Sequence, residues 1–160
     1  MTRFCLILCF GLLFSFAADA QYDYKTAIGI RAGFSQGISV KHFLGHKDAV
    51  EVIGSFRYRG FQVTGLYERH ANAFAVDHLY WYYGAGAHIG FWNYYDGHPW
   101  FDEDDGSKTV IGIDGILGIE YNIQDIPINV SLDYKPAFNL IGFSNAVFDG
   151  GALSIRYMLP

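Results

Sequence analysis

The chain has 160 residues, of which 51% are hydrophobic and 18% aromatic against 17% charged, with 19 glycines and a formal net charge of −5. That balance excludes an intrinsically disordered chain and a coiled coil, and the negative charge excludes a nucleic-acid binder that works through a basic surface. The length fits one domain.

Met1, Thr2 and Arg3 are followed by an apolar run over residues 4–18, too short for a membrane-spanning helix of about 20 residues. A basic residue ahead of such a run, with Ala18, Asp19 and Ala20 supplying a small-x-small sequence, is the pattern of an export signal. We therefore expect residues 1–20 to be a cleaved signal peptide and residues 21–160 to be the exported domain. Both cysteines, Cys5 and Cys9, fall in the removed segment, which leaves no thiol for disulfides, metal or nucleophilic catalysis. Leu8 precedes Cys9, where a lipoprotein signal needs a small residue, so no lipid anchor is expected. Beyond Gln21 no apolar run reaches the length of a helical span, yet the mean hydropathy is +0.14. Strands must carry that apolar surface.

Successive side chains of a strand point to opposite faces, so a period of two separates two environments. Residues 26–34 set Ile28, Ile30, Ala32 and Phe34 against Gly29, Arg31 and Gly33, and residues 37–44 set Ile38 and Val40 against Ser39 and Lys41. Residues 49–58 place Val50, Val52, Phe56 and Tyr58 opposite Glu51, Ser55 and Arg57; residues 61–70 place Phe61, Val63 and Tyr67 opposite Gln62, Thr64 and Glu68. The cleanest segment is 78–92, with Leu79, Trp81, Tyr83, Ala85, Ala87, Ile89 and Phe91 on one face and histidine, tyrosine, glycine and Trp92 on the other. Residues 110–123 oppose Ile111, Ile113, Leu117, Ile119, Tyr121 and Ile123 to Gly112, Asp114, Gly118, Glu120 and Asn122, with Ile116 the misfit. Residues 128–138 oppose Ile128, Val130, Leu132, Tyr134 and Phe138 to Asn129, Ser131, Asp133 and Lys135, and Pro136 marks a strand end or a bulge. Residues 152–159 complete eight strands, with Leu153, Ile155, Tyr157 and Leu159 facing away from Ala152, Ser154, Arg156 and Met158.

Short connections at 59–60, 45–48 and 124–127 make neighbours antiparallel. The product is an all-β, eight-stranded up-and-down meander, closed so that no edge is left unpaired. Closed sheets of this size come in two opposite kinds, the soluble lipocalin type with its apolar face inward and the outer-membrane type with that face toward lipid. The polar face carries Arg31, Lys41, Arg57, Lys135 and Arg156 against Glu51, Glu68, Asp114, Glu120 and Asp133, five of each sign. Ions lining a narrow lumen need opposite-sign partners, and interleaved glycines leave room for them. No charge falls mid-strand on the apolar face, where a Lys or Arg at a bilayer midplane costs about 2–4 kcal/mol. Aromatics gather toward both ends of that face, as they do at lipid–water boundaries. These features select the transmembrane barrel, with a balanced, structural charge network in its lumen.

The stretches Leu66-Tyr67-Glu68-Arg69-His70, LYWYYGAGAHIGFW from Leu79, IGIDGILGIEYNIQDIPINVSLDYKPAF from Ile111 and ALSIRY from Ala152 together resemble the small outer-membrane β-barrel proteins of the Bacteroidetes group. The resemblance covers nearly all of residues 21–160 and implies an eight-stranded barrel in the outer membrane. It implies no activity and no catalytic residues.

The longest connection, 93–108, holds Asp102, Glu103, Asp104 and Asp105 beside Tyr94, Tyr95, Trp100 and Phe101. Clustered carboxylates take hard cations, which makes Asp102, Asp104 and Asp105 weak metal candidates, although the spacing does not match an EF-hand loop. A solvated acidic loop is the plainer reading. His70, His78 and His88 lack diagnostic spacing for a metal or a general base, and Ser144 with His98 is the one nucleophile–base pair, joined by no motif. The sequence thus leads to a non-enzymatic, monomeric barrel of the bacterial outer membrane without cofactor. Its expected partners are membrane lipid, lipopolysaccharide and the barrel-insertion machinery, with no nucleic acid. The alternatives are a secreted lipocalin-like carrier of an apolar ligand and a lipid-modifying barrel enzyme.

Overall fold

The computed structural model of the chain describes residues 24–34, 36–57, 60–92, 108–141 and 146–159. Residues 1–20, the carboxylates Asp102, Asp104 and Asp105, the pair Ser144 and His98, and the side chain of Arg57 lie outside the described residues. The strands are β1 (Thr26–Gly33), β2 (Gln36–Phe43), β3 (Asp48–Arg57), β4 (Gly60–Asn72), β5 (Leu79–Trp92), β6 (Lys108–Asn122), β7 (Ile128–Ile141) and β8 (Ala146–Leu159). Each pairs antiparallel with the next, and β8 pairs with β1 to close the barrel.

The register sets the barrel's geometry. From Arg31, partners on β2, β3, β4 and β5 are Gly37, Ser55, Gln62 and Gly90. In the other direction they are Ser154, Ser131, Glu120 and Tyr80. The two paths reach β5 at Tyr80 and Gly90, ten residues apart, so the sheet closes with a shear of ten. Strand number and shear together fix the tilt, about 35–45° in barrels of this kind, and the interior of eight strands is filled by side chains.

The strands follow the alternation expected from the sequence and differ mainly at their ends. β7 runs past Pro136 to Ile141, because the register shifts between Tyr134 and Pro136 against β8. A bulge there absorbs the missing proline N–H and lets pairing resume. β8 correspondingly begins at Ala146, six residues before the alternation becomes clean. β4 extends to Asn72, which turns His70 from a residue beside a turn into one that points into the barrel.

Three short turns, 44–47, 73–78 and 123–127, lie at the end that also holds Lys25 and Leu159. They are closed by backbone hydrogen bonds from Leu44 N to Asp48 O, Ala73 N to Leu79 O and Ile123 N to Ile128 O. Phe74, Ala75 and His78 in the second turn, and Asp125 in the third, have positive φ.

The outer face is apolar. Ile113, Leu132 and Ile155 are 51%, 56% and 45% exposed, while their strand neighbours Asp114, Asp133 and Arg156 are 4%, 3% and 0% exposed. This is the reverse of what a lipocalin-like carrier requires. Among the described residues, the charged side chains on the outer face of the strands are Asp48 and Arg69, paired at 3.9 Å beside the 44–47 turn. Phe34, Phe56, Phe61, Phe91 and Phe138 are exposed toward the loop end, and Tyr67, Tyr83, Tyr121 and Tyr157 toward the turn end. Trp81 stacks on Tyr83 at 5.4 Å.

Candidate functional site in the barrel interior

Inward positions of all eight strands converge on one buried network, whose largest fully enclosed side chains include Arg156, Tyr82, Lys41 and Lys135. Its centre is Lys41 on β2. The ammonium lies 2.9 Å from Glu68 on β4, 3.1 Å from Glu120 on β6 and 3.6 Å from Glu51 on β3, and 3.9 Å from the centre of the Tyr82 ring, a cation–π contact. His70 stands 3.6 Å from Glu120 and 3.7 Å from Glu68 through Nε2, and its ring stacks on Tyr82.

Arg156 on β8, two strands from β2 on the other side of β1, anchors the same cluster. Its Nη2 donates to Glu51 Oε1 at 2.6 Å, its Nε to Ser39 Oγ at 2.7 Å, and its Nη1 to Ser131 Oγ at 2.7 Å and Asn129 Oδ1 at 3.2 Å. Ser39 in turn donates to Glu51. A planar, always-charged guanidinium with five donors suits a position that must join several strands at once.

A second group is the two-pronged pair of Arg31 with Asp133, to which Tyr82 adds a hydroxyl bond at 3.1 Å. Tyr82 therefore links the two groups. Gly118 makes this possible, because a Cβ there would collide with the Tyr82 phenol and with Asp133. The third group lies in the loop-side half. Asp114 takes Lys135 Nζ at 2.7 Å and sits 2.6 Å from His88 Nδ1, and His88 Nε2 is 3.0 Å from Asn139 Oδ1. Gly112 clears the space that the His88 ring occupies.

Nine of the ten charged residues read from the polar face thus lie buried in the lumen and pair with one another: Arg31 with Asp133, Lys41 with Glu51, Glu68 and Glu120, Arg156 with Glu51, and Lys135 with Asp114. The tenth is Arg57. Counting charges alone missed the neutral members. Ser39, Asn129, Ser131 and Asn139 share the parity of the charged residues on their strands, and Tyr82 that of His88 on β5, and that parity was the signal that locates them. The alternation also passed over an apolar layer: Ile53, Leu66 and Ile116 point inward and pack with Tyr82, so the Ile116 misfit belongs to an apolar cluster inside the barrel. Among the described residues no group of three or more His, Cys, Asp or Glu is placed to hold a metal ion, and His70 and His88 belong to different groups of the network.

No family model and no curated protein matches the chain. Among solved structures it is similar to the N-terminal β-barrel domain of Pseudomonas aeruginosa OprF, with a TM-score of 0.63 and 12% sequence identity over 84% of this chain and 95% of that one. At that identity the likeness is one of fold: a closed eight-stranded antiparallel barrel.

Proposed function

We propose that the chain is an integral barrel of the bacterial outer membrane, its apolar face in hydrocarbon, and that it serves a structural or surface-interaction role without catalysing a reaction. One observation carries the reading. Large aliphatic side chains cover the outer wall while arginine, lysine, aspartate and glutamate are sealed inside, a distribution that water would oppose on both faces and lipid favours on both. The aromatic rims and the charge-free middle of the outer wall support it. The barrel domain of OprF, an outer-membrane protein, supports it by fold.

The interior argues against a wide channel, since an eight-stranded barrel leaves room for side chains and little else and here Ile53, Leu66, Ile116 and Tyr82 form a buried cluster within it. Residues 1–20 serve in this reading as the export signal, and lipid, lipopolysaccharide and the insertion machinery are the partners. The test is heat-dependent mobility on SDS gels together with recovery from the outer-membrane fraction. A folded form that migrates differently unheated and needs detergent to stay in solution is the expected result; a detergent-free, water-soluble monomer would overturn the proposal.

A further inference from the structure

The charges around Lys41 do not balance. Among the described residues, the titratable or charged groups facing this cluster are Tyr24 ahead of β1, Arg31 on β1, Lys41 on β2, Glu51 on β3, Glu68 and His70 on β4, Tyr82 on β5, Glu120 on β6, Asp133 on β7 and Arg156 on β8. Arg31 and Asp133 satisfy each other. That leaves three carboxyls, Glu51, Glu68 and Glu120, with two fixed cations, Lys41 and Arg156, and the five side chains are fully enclosed. An uncompensated charge in such a place is costly enough that the site takes up a proton instead.

The donors say which carboxyl holds it. Glu120 accepts from the Lys41 ammonium and from the Tyr24 hydroxyl at 3.3 Å. Glu51 accepts from Arg156 and Ser39 through Oε1. Glu68 takes only the ammonium it shares with the other two, at 2.9 Å, because His70 Nε2 stands 3.7 Å away, beyond hydrogen-bonding distance. Both of its oxygens, and Oε2 of Glu51, receive no hydrogen bond among the described residues, and the Oε2 atoms of the two carboxyls converge on one ammonium, 2.9 and 3.6 Å from Lys41 Nζ. Two carboxylates offer acceptors only, whereas a carboxylic acid offers a donor. Placing the proton on His70 would set an imidazolium 3.4 Å from Lys41 Nζ, like charge against like charge.

We propose that the Lys41 cluster is a proton-binding site, in which one proton taken from solvent rests on Glu68 and is donated as a hydrogen bond to Glu51. The site concerns the interior alone and holds whatever surrounds the outer wall. Infrared spectroscopy of the folded full chain in D₂O, with ¹³C-labelled glutamate, tests it. A protonated-carboxyl carbonyl band is present at neutral pH and disappears in Glu68→Gln, whose unfolding temperature matches the parent's because a neutral amide replaces a neutral acid. Glu51→Gln and Glu120→Gln unfold earlier. The absence of that band, its persistence unchanged in E68Q, failure of E68Q to fold, or an imidazolium signature for His70 in ¹⁵N NMR would each overturn the proposal.

Discussion

Arg156 and Glu51, 105 residues apart in the chain, meet in the barrel interior with Nη2 2.6 Å from Oε1. Neither strand touches the other: β8 is paired with β7 and β1, and β3 with β2 and β4. The ion pair is therefore a strut across the lumen, and it exists only once the barrel has closed.

Truncating one end of that strut leaves its partner buried and uncompensated. Arg156→Leu is expected to cost about 3–5 kcal/mol of unfolding free energy, and Arg156→Leu with Glu51→Leu less than the sum of the single changes, because replacing a buried pair by apolar groups is often close to neutral. Denaturant titration of the three variants, read as a double-mutant cycle, measures the coupling.

The outer wall responds with opposite sign to charge. Leu132→Arg, on the charge-free middle of the apolar face, is expected to cost about 2–4 kcal/mol in a bilayer, and Thr109→Arg, one residue inside the loop-end start of β6, about 1 kcal/mol or less. Folding equilibria in lipid vesicles distinguish the two. Equal costs would place the lipid boundary elsewhere or remove it.

Tyr82 joins Lys41 to Asp133 across the space that Gly118 leaves open. Tyr82→Phe deletes a hydrogen bond to a charged group and is expected to lose about 1.5–3 kcal/mol. Gly118→Ala is expected to lose stability as well, by displacing the phenol, while combining it with Tyr82→Phe adds little. Thermal unfolding followed by circular dichroism compares the variants.

The 73–78 turn places Phe74 and Ala75 at φ 55, a left-handed backbone that costs a non-glycine residue about 1–2 kcal/mol. Ala75→Gly is expected to raise stability by about 0.5–1 kcal/mol, the gain being trimmed by the greater freedom of glycine in the unfolded chain. A lower denaturation midpoint for A75G would show that the turn does not hold this conformation.

The strand count, the antiparallel order and the two faces were legible in the period-two pattern, because side-chain alternation is a property of each strand by itself. That pattern placed Arg31, Lys41, Glu51, Glu68, Asp114, Glu120, Asp133, Lys135 and Arg156 on one side of the sheet from their positions alone. It left open whether Pro136 ends β7 or sits in a bulge, which the pairing with β8 decides in favour of the bulge, and it set the end of β7 three residues early and the start of β8 six residues late. It also passed over Ile53 and Leu66, whose apolar character hides an inward position.

What the sequence by itself determined is a sheet with one greasy and one ionic face. The partners across the lumen were decided by tertiary structure alone. Pairing there follows from the shear, a sum of register offsets around the whole circle from Arg31 through Gly90 on one path and Tyr80 on the other. A slip of one residue in any ladder would exchange the faces of a strand, so no local window contains the information that brings Arg156 to Glu51 or three carboxyls to one lysine.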